Sequence, residues 1–580
     1  MSQVRQSRRA VEGARGRRAA PLGGVSLAWL DPQRLVLVVF VGAIFAAAAA
    51  PLLDPDLWWH LANGRYILGH GIPATDVYSF TAAGHVWVVH EWLADVVMYW
   101  LHGRVGLSGL VVLAAAVVAG AALAIQRLLR AGGLGQSSAV LLAGVLALAS
   151  SPSWGARPQI INLLLAGLLC LLLLGYRRRP GRWVLWLIPG FAVWANLHSA
   201  YLFGAGLVVA FAIGETLDAR LGGAEARPAD RPTPHGGTDR AYLRRLYATG
   251  LLGGLAGLAT PGTWRTVLFP FGTLGSNTIQ SNIQEWLSPD FHGLPGVLLA
   301  VAVAVLVGGG LGTLAPERGR RRPAWWLLGA LGGAGLVALS PDFHATVPRL
   351  LLAAAALAAV AWVLPRQQGG GRAESLWAVA TLVLALTSLR HVALFAAAGA
   401  PALGRSAATL LAGLGVPPRR SPAPSAVTGA ANLVLLALIA AGGAMFVTSR
   451  VSPHALDVQL RRVEPVAAVD HMLAAPVPQP LFNFYDYGGY LIWRAGPDSG
   501  PGAPAYRVFI DGRVEVYGDA LFRRYLDTNY GTIRWRDTLR DYRIRTVLLP
   551  TSHPLGRLLV GDGWSVAYRD PTATIYTHGG

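Results

Sequence analysis

The chain has no lysine, a single cysteine and few charged residues of either sign. Only 14% of its 580 residues are charged, whereas a soluble protein of this size carries roughly 25%. Cys170 lies inside an apolar run, so a disulfide framework is excluded. Without lysine, the formal charge of +19 comes from arginine, as a GC-rich genome would encode. These arginines stand in short blocks between apolar runs, which argues against nucleic-acid binding and favours a membrane protein.

Instead of charged residues, the chain has many long apolar runs. Residues 35–53 carry no charge over 19 positions, which is enough to cross a hydrocarbon core. Backbone groups in lipid must hydrogen-bond internally, so such runs form helices. We predict a polytopic α-helical membrane protein with about thirteen transmembrane helices, near 35–53, 106–126, 137–151, 159–175, 183–197, 200–217, 246–261, 294–314, 324–340, 346–364, 374–390, 392–412 and 428–447.

The arginine-rich linkers fall between alternate pairs of these helices. The positive-inside rule places all of them, with the N-terminus, on the cytoplasmic side of the inner membrane. We therefore expect a cytoplasmic basic tail (1–34) and a transmembrane domain (35–447) whose first outer loop is 54–104. An odd number of helices leaves residues 450–580 outside the cytoplasm.

Residues 450–580 have the composition of a soluble domain. The alternation over 506–518 predicts a strand with an Asp-Gly turn. Helical spacing over 519–529 and 534–543 follows. Residues 546–551 look like a buried strand, and 565–576 like a hairpin. The sequence therefore predicts a small extracytoplasmic α/β domain packed on the outer membrane face.

Polar residues close to the predicted membrane boundary fall on the outward face. Polar groups near hydrocarbon are costly and usually functional. We therefore predict a polar cavity that opens outward. The candidates for its lining are His60, His90, Gln159, Asn196, His198, Glu285 and Asp290.

Carboxylates follow the first predicted helix directly. Asp54 and Asp56 stand in the sequence DPDLWWH, and Glu91 lies further along the same loop. Asp56 could simply cap a helix that starts at Leu57. Alternatively, the carboxylates form a catalytic set in which one is the base and another orients it or helps hold Mg²⁺ or Mn²⁺. The histidines of the loop match no zinc signature.

Outward-facing arginines need a reason other than topology. Arg157, Arg349 and Arg390 lie on the side that the positive-inside rule leaves poor in arginine, and His391 follows Arg390. Guanidinium groups bind phosphate well, although each could instead pair with an outward carboxylate. A cavity with these groups at lipid depth suits a substrate with a phosphate head and a lipid tail.

Several short stretches resemble the GT-C superfamily, the integral-membrane glycosyltransferases that use polyprenyl-phosphate-linked sugars. They are DPDLWWHLANGRYI with HEWLADVV (54–67 and 90–97), RPQ (157–159), NLH (196–198), and FNFYDYGGYLIW with FIDGRVEVYGD (482–493 and 509–519). The resemblance implies that Asp56, or Asp54, is the first-loop acid that activates the acceptor or helps bind metal. It also implies that Glu91 is the second acidic residue of that loop.

The stretch YDYGG (485–489) is faintly similar to the Trp-Trp-Asp-Tyr-Gly motif of oligosaccharyltransferase catalytic subunits, and the architecture is also distantly similar to protein mannosyltransferases. Phe484 and Tyr485 stand where that motif has paired tryptophans. The departure puts recognition of an Asn-x-Ser/Thr acceptor in doubt. The candidate acceptor-binding residues are Tyr485, Asp486, Tyr487, Asp511 and Arg513.

Together these features predict a glycosyltransferase of the outer face of the inner membrane. Its donor would be a sugar on polyprenyl phosphate, and its acceptor an unidentified glycan, lipid or protein. Asp56 would be the base, while Arg390 with Arg157 or Arg349 would bind the phosphate. Two alternatives stay open: a flippase for lipid-linked glycans and a non-catalytic membrane scaffold. A transporter would be expected to have internal repeats, and the sequence has no evident repeat.

Overall fold

A computed structural model describes residues 30–50, 54–221, 236–312, 371–416, 426–500 and 505–579. Within these ranges the chain is mostly helical. The α-helices, numbered α1–α21 in chain order, are Pro32–Ala48, Asp56–His70, Trp92–Ala131, Gln136–Ala149, Ile161–Arg178, Leu187–Leu197, Tyr201–Leu221, Gly236–Gly254, Trp264–Gly275, Asn277–Asn282, Leu294–Gly312, Arg372–Thr387, Val392–Ala398, Ala400–Gly413, Ala426–Val451, Pro453–Val463, Val466–Ala474, Tyr487–Ala495, Val514–Asn529, Trp535–Asp541 and Pro554–Gly561.

Several of these helices have the length and composition of membrane spans. In the described ranges, four are long and apolar enough to cross a bilayer, namely Trp92–Ala131, Pro158–Arg178, Tyr201–Arg220 and Val427–Val451. The bent pair Leu389–Ala398 and Ala400–Gly413 would make a fifth. Shorter apolar helices are Pro32–Ala48, Gln136–Ala149 and Leu294–Gly310. The chain is therefore a multi-pass membrane protein, whereas the count of thirteen stays a prediction. The predicted spans 324–340 and 346–364 lie outside the described residues.

Helix α3 runs from the first outer loop into the membrane region. It extends into the predicted span 106–126, and Gly106, at the start of that span, has φ 65° and ψ −170° inside an otherwise helical stretch. Glycine has no Cβ and therefore adopts a positive φ without steric strain. The loop part of α3 is thus redirected relative to its membrane part.

The buried apolar residues form two cores. One core joins the apolar helices, with Trp377, Phe211 and Tyr176 among its largest fully buried side chains. The other joins the first outer loop to the C-terminal region, and it includes Trp58 and Phe509. Trp58 and Trp59 are both buried in this second core. The first loop and the C-terminal region therefore lie on the same side of the helical bundle.

The C-terminal region contains a four-stranded sheet. Strands β1 (Leu481–Asn483), β2 (Thr546–Pro550), β3 (Ser565–Arg569) and β4 (Ala573–Thr577) pair in the order β1-β2-β4-β3. β1 and β2 are parallel, and the other two pairs are antiparallel. The buried strand predicted over 546–551 and the hairpin predicted over 565–576 are both present.

The strand predicted over 506–518 is wrong. Tyr506, Val508, Phe509 and Ile510 are all buried, and the segment makes only an isolated bridge, between Ser79 and Val508. The Asp511 side chain accepts a hydrogen bond from the backbone N–H of Arg513 (3.0 Å). This local turn leads into helix α19 instead of closing a hairpin.

A buried ion cluster ties this segment to the first loop. Arg513 donates to Asp511 (2.6 and 2.8 Å) and to Asp76 (2.7 Å), and the side chains of Arg513 and both aspartates have no exposed surface. The guanidinium also stacks over Trp87 at 4.5 Å. Gly512, which lies between Asp511 and Arg513, is thereby held against the first loop.

Candidate functional site

A cavity of about 220 Å³ opens where the helical bundle meets the first loop and the C-terminal region. Its polar lining comes from separate parts of the chain, and its other wall is apolar. The polar and charged side chains are Asp56, His60, His90, Glu91, Ser153, Arg157, Gln159, Asn162, His198, Ser199, Glu285, Arg390, His391, Tyr485 and Glu515. The apolar wall includes Leu163, Ala166, Phe203, Ala393 and Leu394.

Asp56 begins helix α2 at the cavity. The Asp54 carboxylate accepts a hydrogen bond from the Asp56 backbone N–H (3.0 Å), so Asp54 provides the cap. The indole N–H of Trp59 donates to Asp56 Oδ1 (3.1 Å), and Gly512 packs directly against this oxygen. Burial, with the Asp54 charge added to it, raises the pKa of Asp56 to about 6. Asp56 is thus ionised at neutral pH but is a stronger base than an ordinary aspartate.

Arg157 lies among three carboxylates at the same end of the cavity. Its guanidinium donates to both oxygens of Glu285 (3.0 and 2.8 Å) and to Asp56 Oδ2 (3.2 Å). Its Nε lies 3.0 Å from Asp54 Oδ2. Burial acts to raise the pKa of Glu285, but the charge of Arg157 prevails and lowers it to about 2. Arg157 is therefore paired with carboxylates and is not free to bind a phosphate.

Glu91 belongs to a different set of contacts. Its carboxylate lies 3.1 Å from His198 Nε2 and 3.8 Å from His60 Nε2. The backbone N–H of Ala200 donates to His198 Nδ1 (2.9 Å), which leaves the His198 proton on Nε2, facing Glu91. Burial raises the pKa of Glu91 to about 8. Glu91 is therefore protonated at neutral pH.

His60 is oriented by a carboxylate behind it. Its Nδ1 lies 2.6 Å from Asp95 Oδ1, and Asn63 donates to the other oxygen of Asp95 (2.7 Å). Burial acts to lower the pKa of His60, but Asp95 outweighs it and the pKa is raised. By contrast, burial lowers the pKa of His90 to about 3.

Arg390 approaches the cavity from a short 3₁₀ turn, Leu389–His391. The backbone N–H of Leu389 donates to Leu287 (2.9 Å), which fixes this turn beside Trp286. Arg390 stacks over Trp286 at 4.4 Å and donates to Gln159 (3.2 Å). Within the described part of the chain, no carboxylate forms an ion pair with Arg390. Its charge is therefore available to a ligand.

The carboxylates predicted to hold a metal do not form one ligand set. Asp54 and Asp56 both contact Arg157, whose guanidinium occupies the space between them. Glu91 is surrounded by histidines instead. Among the residues that the structure describes, no group of three His, Cys, Asp or Glu side chains is arranged to hold a metal.

Some predicted residues lie away from the cavity. Asn196 accepts from the indole of Trp92 (2.7 Å), and Asp290 is exposed beside His292. Arg349 falls outside the described residues. The remaining ones are in the C-terminal region: Asp486 is exposed, Tyr487 donates to a backbone carbonyl, and Asp511 and Arg513 form the buried ion cluster. Of the predicted acceptor-binding residues, only Tyr485 lines the cavity.

Sequence reasoning missed other members of the site. Asp95 stands four residues after Glu91, so helical spacing could have linked the two. Glu515 lies in the segment that was predicted to be a strand, and no pattern pointed to it. Burial raises the pKa of Glu515 to about 7. Trp286 could be recognised only from its stacking with Arg390.

No protein-family model and no curated protein matches the chain. Several solved structures are similar, including the following two. One is ArnT from Cupriavidus metallidurans bound to undecaprenyl phosphate, with 13% identity, TM-score 0.41, and 93% of this chain and 97% of that chain covered. The other is an Archaeoglobus fulgidus oligosaccharyltransferase tethered to an acceptor peptide containing the NVT sequon, with 12% identity, TM-score 0.42, and 95% and 75% covered.

These similarities are distant.

Proposed function

We propose that the protein transfers a sugar from a polyprenyl-phosphate-linked donor to an acceptor on the outer face of the cytoplasmic membrane. The observation that carries this proposal is the single cavity that joins Asp56, Glu91 and Arg390 to an apolar wall. The wall would accept the first part of a lipid chain, and the charged end would accept a phosphate and a sugar. The alternative acceptor classes are a glycan, a lipid and a protein.

Arg390 and His391 would bind the donor phosphate. Arg390 has no carboxylate partner among the described residues, and its guanidinium plane is fixed by Trp286. His391 Nδ1 is buried and has no hydrogen-bond partner in the described part of the chain, so it can contact an incoming phosphate oxygen. As the bond between sugar and phosphate breaks, Arg390 would stabilise the charge that develops on the leaving phosphate.

Asp56 would act as the general base. An acceptor hydroxyl or amide gives its proton to Asp56 while its oxygen or nitrogen attacks the anomeric carbon, and the electron pair of the breaking bond leaves with the phosphate. A single displacement of this kind inverts the anomeric carbon. Glu91, protonated at neutral pH because burial raises its pKa to about 8, would donate a hydrogen bond to the substrate.

The test uses purified protein in lipid nanodiscs with a panel of polyprenyl-phosphate monosaccharides. Mass spectrometry measures release of polyprenyl phosphate, which can be detected through slow transfer to water even when the acceptor is unknown. We expect Asp56→Asn and Arg390→Ala to lower release by about 100-fold or more. Asp290→Asn, which changes an exposed carboxylate outside the cavity, is the matched control. Release by Asp56→Asn at the wild-type rate would falsify the role of Asp56 as base.

The flippase alternative gives a different result. Proteoliposomes that move the polyprenyl-phosphate sugar across the bilayer without releasing polyprenyl phosphate would replace the transferase proposal by transport. A scaffold would give neither movement nor release.

A further inference from the structure

Arg157 occupies the centre of a group of three carboxylates. The contacts from its guanidinium are 3.0 Å to Asp54, 3.2 Å to Asp56, and 2.8 and 3.0 Å to Glu285. The Arg157 side chain is 11% exposed, and those of Asp54, Asp56 and Glu285 are 17–29% exposed. A single positive charge thus holds three negative groups that come from two distant parts of the chain, residues 54–56 and residue 285.

The three carboxylates carry the ligand chemistry of a divalent-cation site, but with Arg157 between them they are not arranged to hold a metal. Mg²⁺ and similar hard ions prefer carboxylate oxygens, at roughly 2.0–2.6 Å from the ion. A guanidinium supplies the same positive centre through planar N–H donors at hydrogen-bond distance. The two cannot share the space, because both are cations and the guanidinium fills the gap between the carboxylates.

We propose that the guanidinium of Arg157 replaces a divalent cation, so that the wild-type protein works without metal, and that removing it turns Asp54, Asp56 and Glu285 into a metal site. The inference has a catalytic half, that the wild-type protein works without metal, and a binding half, that the three carboxylates bind a cation once Arg157 is removed. The catalytic half rests on the proposed function, while the binding half does not. Arg157 acts as a positioning residue, since it orients Asp56 Oδ2 and leaves the donor phosphate to Arg390.

Binding of Mn²⁺ followed by electron paramagnetic resonance tests the binding half. We expect the wild-type protein to bind no Mn²⁺ at this place and Arg157→Gly to bind one ion per chain. Adding Glu285→Gln to Arg157→Gly removes one carboxylate and should weaken that binding at least tenfold. Arg157→Lys keeps a cation in place and should bind no Mn²⁺.

Two results would overturn the binding half. One is a wild-type Mn²⁺ site that is lost in Asp54→Asn. The other is a folded Arg157→Gly protein, judged by its circular dichroism and elution volume, that binds no Mn²⁺. If Arg157→Gly does not fold, wild type and Arg157→Lys still decide the matter, because Mn²⁺ bound by either at these carboxylates contradicts the proposal.

Release of polyprenyl phosphate tests the catalytic half. The wild-type rate should change less than twofold in EDTA, whereas Arg157→Gly should be inactive in EDTA and recover at least tenfold with added Mn²⁺. A wild-type rate that EDTA abolishes and Mn²⁺ restores would overturn the inference. If the binding pattern holds but no variant, including wild type, releases polyprenyl phosphate, the proposed function fails and the cation replacement stands.

Discussion

At the scale of single residues, the residues that contact Asp56 set the basicity of its carboxylate. Asp54 caps the helix that Asp56 begins, Arg157 holds one carboxylate oxygen and Trp59 the other. Burial and the charge of Asp54 raise its pKa, while Arg157 acts against this rise. The sequence placed Asp56 at the membrane boundary, but only these contacts give it the basicity of a catalytic carboxylate.

The raised pKa of Asp56 predicts the pH dependence of the reaction. Because the pKa rises from 3.8 to about 6, the ionised base is present above pH 6 and is lost below it. We expect kcat/KM for polyprenyl phosphate release to fall about tenfold per pH unit below the pKa. A pH series between 4.5 and 8 measures this fall. A rate that stays constant down to pH 5 would show that Asp56 does not need to be ionised.

At the scale of elements, the segment between strand β1 and helix α19 packs against Asp56 at the start of the first loop. The sequence suggested that Asp511 and Arg513 bind the acceptor, whereas the structure buries them as an ion cluster with Asp76. Tyr485 and Gly512 are the residues of this segment that line the cavity, and Gly512 is the one that packs against Asp56. Residues 509–519, which resemble a glycosyltransferase motif, therefore support the position of the Asp56 side chain.

Gly512→Ala tests this support. A Cβ at this position would collide with Asp56 Oδ1, and because catalysis depends on the placement of the base, we expect release of polyprenyl phosphate to fall roughly 10- to 100-fold. Thermal stability should change little. Gly561→Ala is the matched control, since a Cβ there meets nothing within 4 Å. Equal rates for the two variants would contradict the role given to Gly512.

The buried ion cluster should be a strong determinant of stability. Arg513→Ala leaves the Asp511 and Asp76 carboxylates buried without their cation, and breaking such a pair from one side costs about 3–5 kcal/mol. Tryptophan fluorescence during heating of the detergent-purified protein measures the lower melting temperature. Arg507→Ala is the control because Arg507 is exposed in the same segment. A melting temperature for Arg513→Ala equal to that of this control would mean that the cluster does not join the two regions.

At the scale of the whole molecule, the protein has two hydrophobic cores. The apolar helices form one core, and the first loop with the C-terminal region forms the other. The cavity lies between them and takes residues from both. The two sides of the proposed site thus come from different cores, with Arg390 and His391 beside the bundle core and Asp56 beside the second core.

The arrangement of the cores predicts labelling of the two membrane faces. Tyr530→Cys places a thiol on the exposed surface of the C-terminal region, and Arg179→Cys places one at the opposite, arginine-rich end of helix α5. The native Cys170 is buried and should give little background. In intact spheroplasts, a membrane-impermeant maleimide should label position 530 and leave position 179 unlabelled. The reverse pattern would place the cavity on the cytoplasmic side.

The sequence by itself determined the membrane character, the β2 strand and the β3–β4 hairpin, because hydropathy and local periodicity are properties of neighbouring residues. It also selected Asp56, Glu91, Arg157 and Arg390 as charged groups beside apolar runs. Only the tertiary structure decided their partners, since Asp56, Arg157 and Glu285 are separated by more than a hundred residues. Contacts between residues so far apart in the sequence depend on helix packing. The sequence suggested that Arg157 binds phosphate, whereas helix packing places it as the cation among three carboxylates.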